Sequence, residues 1–111
     1  MQISFKKRRL QKTCESQQSL QKAHGVGCAK KISSRLADLE AVSTLDGMHH
    51  LPGGCHELEA DRDGELALRL PDGKRLIFRP VADPAPTKPD GGLDWNAVDE
   101  IEVLEIVDYH D

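Results

Sequence analysis

The chain has 111 residues, a net charge of −4, and a composition that is 31% charged and 38% hydrophobic, which suits one domain with a modest core. No run approaches the roughly 18 consecutive apolar residues that would span a membrane. The basic run Lys6-Lys7-Arg8-Arg9 has no apolar stretch after it, so no signal peptide is expected.

Ile3 and Phe5 alternate with polar neighbours and predict a short first strand. From about Arg8 to Ala23 the chain is polar, with Leu10, Cys14 and Leu20 as apolar anchors, which predicts a first helix ending before Gly25 and Gly27. Between Cys28 and about Leu45, apolar residues recur every three or four positions, the stripe of an amphipathic second helix. Lys30, Lys31 and Arg35 lie largely off that stripe, placed to face water or a ligand.

Met48 to Gly54 reads as a loop, marked by Pro52-Gly53-Gly54. His56 to Ala60 is a short strand candidate, followed by a turn over Asp61–Gly64. Leu66, Leu68 and Leu70 alternate with Glu65, Ala67 and Arg69 as a half-buried strand does. Pro71-Asp72-Gly73 is a hairpin turn, and Arg75 to Arg79 forms the partner strand. Residues 80–96 carry most of the prolines and read as a flexible excursion, too long for an ordinary loop. A last strand runs from about Glu100 to Val107. The order is strand, two helices, then an antiparallel meander of about four strands. That predicts a single α+β domain over residues 1–111, with both helices on one sheet.

The net charge conceals a strong asymmetry. Residues 1–35 carry nine Lys/Arg against one acid, Glu15, and the remainder carries six against 18. The first part is therefore at +8 and the rest at −12; a basic half of this kind can bind polyanions through counterion release, or serve as a solvated helical face.

Two clusters compete for chemistry. His49, His50, Cys55 and His56 crowd one loop, but structural zinc wants two ligand pairs, so no metal is expected. Cys14, Cys28 and Cys55 have no paired spacing, which suits a reduced, cytoplasmic protein, and none has an evident activating neighbour. The second cluster is suited to RNA cleavage by its own 2′-hydroxyl. That reaction needs a base, an acid and positive charge on the phosphorane-like transition state. His56, Arg75, Tyr109 and His110 are residues of the right types, brought towards one neighbourhood by a meander.

The ungapped run from His56 to Phe78, with Asp61-Arg62-Asp63-Gly64 and Lys74-Arg75-Leu76-Ile77-Phe78 inside it, resembles the central block of HigB-type plasmid-maintenance killer proteins. The ending Leu104 to His110, with Asp108-Tyr109-His110, is similar to that family's C-terminus, and the Leu51-Pro52-Gly53 loop matches as well. The resemblance implies a RelE-like fold and a toxin that cleaves mRNA in the ribosomal A site. It implies proton transfer by His56 and His110, a transition-state clamp at Arg75, and Tyr109 orienting or stacking on the nucleotide. Lys74, Arg69 and Arg79, the bases beside Arg75 on the same hairpin, are the expected substrate contacts. It further implies a helix-turn-helix antitoxin partner, operator DNA reached only through that antitoxin, and no cofactor. Five departures stand out: Glu59 replaces the family's lysine, Ala60 its glycine, Leu66 its strand aromatic, Pro71 its asparagine and Lys74 the aromatic ahead of the key arginine. Glu59 reverses a charge, which leaves a second reading: a weakened relative that binds an antitoxin or RNA without cutting it.

Overall fold

Five strands form one sheet in the order β1-β5-β4-β3-β2 in the computed structural model, which describes residues 1–108. The strands are β1 (Gln2–Phe5), β2 (His56–Glu57), β3 (Leu66–Arg69), β4 (Lys74–Pro80) and β5 (Glu100–Asp108). From β2 to β5 the sheet is the expected antiparallel meander. β1 joins it parallel to β5, with Ile3 opposite Ile101 and Phe5 opposite Val103, so the sheet is mixed.

The helical layer departs from expectation, with three helices in place of two: α1 (Arg8–Cys14), α2 (Gln17–His24) and α3 (Val26–Ala41). The expected first helix breaks at Ser16, whose backbone is extended (φ −137°) and whose hydroxyl accepts a hydrogen bond from Ser19 N–H at 3.1 Å. A serine hydroxyl that can satisfy an orphan amide starts a new helix more readily than it continues an old one. The α3 stripe ends at Ala41, and Leu45–His50 form a separate 3₁₀ turn.

The core is wholly apolar among the described residues. Leu66, Leu68, Leu76, Phe78, Ile101 and Val103 line the covered face of the sheet and pack with Leu20, Ile32 and Leu39 from the helices. The other face carries a smaller cluster of Ala67, Ile77 and Leu104, flanked by Leu58 and Val107. A register shift at Ile77/Phe78 leaves Leu104 unpaired across from β4 and lets it turn into that cluster.

Two further segments differ from expectation. The strand read at His56–Ala60 stops at Glu57, because Ala60 takes a left-handed conformation (φ 58°) and starts a 3₁₀ turn. An L-residue there is strained by roughly 1–2 kcal/mol. Ala60→Gly should therefore stabilise the fold by about 0.5–1 kcal/mol, net of the extra freedom glycine gives the unfolded chain. An upward shift of the urea midpoint checks this, and an unchanged or lowered midpoint would contradict it.

The excursion over residues 80–96 also holds structure of its own. Thr87 bridges to Leu93, and Trp95–Ala97 form a turn. Trp95 stacks on His49 with ring centroids 4.1 Å apart, and its indole N–H donates to Glu57 Oε2 at 3.1 Å. No helix among the described residues is long and apolar enough to cross a membrane.

Candidate functional site

The uncovered face of the sheet places Arg69 directly opposite Arg75, and His56 opposite Ala67, two residues from Arg69 along β3. Facing residues on neighbouring antiparallel strands hold their Cβ atoms about 4.5–5.5 Å apart, with diagonal neighbours at about 7–8 Å. His56, Arg69 and Arg75 therefore share one end of one face. Neither arginine has a carboxylate partner among the described residues. The Arg75 guanidinium donates instead to the Lys74 carbonyl at 2.9 Å. Two like charges facing each other without a counter-charge cost stability, and a bound anion would remove that cost.

His56 is aimed by its own loop. Its Nδ1 lies 2.9 Å from the Gly54 carbonyl oxygen. A carbonyl can only accept, so Nδ1 carries the hydrogen, and the neutral ring keeps its lone pair on Nε2. That tautomer leaves Nε2 to take a proton, or to give one once the ring is charged.

The Gly53-Gly54 pair brings the loop against two arginines. Gly53 (φ 110°) leaves no room for a Cβ, which would sit 2.8 Å from Arg35 Nε and 3.0 Å from Leu68 Cδ2. A Cβ on Gly54 (φ 56°) would meet Arg69 Nη1 at 2.8 Å. Arg35 reaches from α3 to donate its Nε to the Arg69 carbonyl at 3.2 Å. It is a third guanidinium at this end, missed as a site residue from sequence, where its only signal was a position off the apolar stripe.

The remaining candidates are placed elsewhere or not described. Arg79 lies on the same face four residues further along β4, and its guanidinium is committed to Glu102 at 2.8 and 3.0 Å. Lys74 lies on the other face, opposite Asp108 on β5, where its charge reaches His24 and Cys28. Tyr109 and His110 lie outside the described residues. Glu59, the charge reversal, falls away from the arginines: Leu58 N–H bonds to the Glu65 carbonyl, four residues before Arg69, and Glu59 lies beyond it.

Lys6, whose N–H donates to the Val103 carbonyl in the middle of β5, leads into the basic run. Asp63, Glu65, Asp83 and Glu102, with Arg79 among them, line a groove of about 480 Å³ at the end of the sheet away from Arg69 and Arg75. Arg62 bridges Glu65 at 2.7 Å and Glu105 at 3.1 Å, tying the turn after β2 to β5 across the open face.

Among the described residues no three His, Cys, Asp or Glu side chains converge to hold a metal ion. His49 is spent on Trp95 and lies 3.7 Å from Asp46. Burial, with Glu57 adding to it, pushes the Cys55 thiol up to about 12, and burial alone pushes Cys14 up to about 11. Both stay protonated near neutrality and are poor nucleophiles.

His24 supplies a pH dependence. Burial, and then the Lys74 ammonium, hold its pKa below the ordinary 6.5. The folded state thus binds fewer protons than the unfolded one between those two values, so this contribution is complete above about pH 6.5 and lost as pH falls through that window. His24→Gln should flatten the decline in Tm on the acid side of pH 6.5. An equally steep decline in the variant would assign the dependence to other groups.

No family model matches the chain, and no curated protein matches it.

Proposed function

We propose that this chain is an endoribonuclease toxin of the RelE type, cleaving mRNA on the ribosome and held in check by a helix-turn-helix antitoxin in the cytoplasm. The observation that carries the reading is the uncompensated pair Arg69 and Arg75 facing each other beside His56 on an open sheet face. A scissile phosphate is the ligand that suits it: guanidiniums bind phosphate oxygens in bidentate fashion and gain strength as charge develops in the transition state.

In this reading a histidine removes the 2′-hydroxyl proton and the freed oxygen attacks the adjacent phosphate. The second histidine returns a proton to the departing 5′-oxygen. The products are a 2′,3′-cyclic phosphate and a 5′-hydroxyl. His56, with Nε2 left open by its bond to Gly54, is one partner, and His110 is the other. Arg75 clamps the phosphorane, with Arg69 beside it, and Tyr109 orients the nucleotide.

Two details add support. Ala60 adopts the left-handed backbone that a glycine would favour, at the position where the resembling block has one. Glu59 lies away from the arginine pair, so its charge does not oppose phosphate binding there. The second reading, binding without cleavage, rests on that same glutamate.

Brief induction in a bacterium, followed by transcriptome-wide mapping of 5′ ends, separates the two. New ends phased to codons are expected within the first minutes. Arrested growth without new ends would favour binding alone, and unchanged growth and transcripts would dismiss both.

A further inference from the structure

The basic half of the chain has no part in the catalytic arrangement above, yet α3 carries two of its charges to the edge of the arginine site. Lys31 and Arg35 lie four residues apart on α3, so they share one face of that helix. Arg35 reaches from there to the Arg69 carbonyl through its Nε alone, at 3.2 Å. Its two Nη groups and the Arg69 guanidinium make no hydrogen bond or ion pair among the described residues. Asp38, one turn further along α3, forms no ion pair with Arg35 there either.

Gly53 and Gly54 sit between the two guanidiniums. The space of a Cβ on Gly53 is taken by Arg35 and by Leu68, a residue of the covered face. The space of a Cβ on Gly54 is taken by Arg69, a residue of the open face. Consecutive Cα atoms are only about 3.8 Å apart, so the loop passes from the helix side of the sheet to its open side in one step, with a guanidinium against each glycine. The Gly53 carbonyl accepts from Arg69 N–H at 2.8 Å, and the Gly54 carbonyl from His56 Nδ1 at 2.9 Å. The dipeptide that aims His56 therefore also sets Arg35 beside Arg69.

We infer that Arg35 holds the phosphate next to the scissile one on the RNA strand, with Lys31 beyond it, an inference that rests on the proposed nuclease reading. Lys31, Arg35, Arg69 and Arg75 then form a line of positive charge from α3, past the edge of β3 and onto the open face of β4. None of the four is paired with a carboxylate among the described residues. Successive phosphates of one strand are the ligand that matches such a line, each meeting one cation and releasing its own counterions. A single anion would satisfy the facing pair Arg69 and Arg75 and leave Arg35 and Lys31 unmatched. The Arg69 carbonyl needs only one neutral donor, so that bond does not call for a guanidinium. The two remaining Nη groups are the fork that suits phosphate oxygens.

The probe is a short 2′-O-methyl RNA, which lacks the attacking hydroxyl, titrated against the full chain by fluorescence anisotropy across a salt series. Each phosphate contact adds about 0.7 to the slope of log affinity against log salt for a single strand. Arg35→Gln keeps an amide donor for the Arg69 carbonyl and should stay folded by circular dichroism. It should nonetheless lower the slope by about 0.7 and the affinity about tenfold. Arg35→Lys should restore the slope and part of the affinity. A neutral methylphosphonate, moved along the RNA one linkage at a time, locates the contact. At one linkage its cost and that of Arg35→Gln should fail to add, and that linkage should neighbour the one found in the same way with Arg75→Gln. An unchanged slope in Arg35→Gln, costs that add at every linkage, or no binding at low salt overturns the inference. If Arg75→Gln binds as the native chain does while Arg35→Gln does not, the nuclease reading falls and the Arg35 site outlives it.

Discussion

Replacing Arg75 with alanine should lower the rate of RNA cleavage by about 10²–10³-fold, the usual effect of deleting one group that stabilises transition-state charge. The fold should not suffer. Arg75 stands opposite Arg69 with no carboxylate between them, and such like-charge pairs cost about 0.2–1 kcal/mol. Tm should accordingly hold steady or rise by a degree or two as activity falls. Arg75→Lys refines the point: it keeps a positive charge but not the planar fork, so it should bind RNA with partial recovery of rate. Single-turnover cleavage of a short RNA, or induction followed by 5′-end mapping where the ribosome is required, measures the loss. Cleavage at the wild-type rate by Arg75→Ala would remove the arginine pair from the mechanism.

Phe78→Ala is expected to have the largest effect on stability, about 3–5 kcal/mol, because it empties the largest fully buried side chain. Phe78 sits opposite Leu66 on β3 and Val103 on β5, next to the register shift, where three strands meet the helical layer. A domain of this size has only about 5–15 kcal/mol in hand. The variant should lose about a fifth or more of that, with a lower urea midpoint at an unchanged slope. A loss under about 1 kcal/mol would mean that the sheet and helices close over the gap, so that the packing is looser than described.

Most of the strand order was legible because the pattern there is local. Leu66 and Leu68, and Leu76 and Phe78, alternate across a Pro-Asp-Gly turn, so one hairpin defines its own register. The parallel pairing of β1 with β5 was not legible, since it joins residues nearly a hundred positions apart and leaves no periodic trace. The break at Ser16 was a capping signal inside a weakly amphipathic stretch, where a serine hydroxyl outweighed the propensity of its neighbours. Ala60 was hidden for the opposite reason: nothing about an alanine announces a positive φ.

The candidate site was legible in part. His56, Arg69 and Arg75 share a face because odd-numbered β3 and β4 residues alternate away from the leucines. The same alternation sends Lys74 to the helices, which its adjacency to Arg75 in sequence had obscured. Arg79 is on the right face, yet Glu102 opposite it takes its charge, a pairing that needs the β4–β5 register to be seen. Arg35 needed the loop geometry at Gly53 to bring it near.

The place of β5 between β1 and β4 bears on how the protein is made. Synthesis delivers β1 and all three helices first, and the strand that must lie between β1 and the hairpin last. Until residues 100–108 emerge, β1 has no neighbour and β4 offers one bare edge. The closing step joins ends separated by almost the whole chain, the kind of long-range contact that slows folding. A ribosome partway through this message thus carries helices and a hairpin but no joined sheet. On the proposed reading, late closure would keep each copy harmless to the ribosome building it.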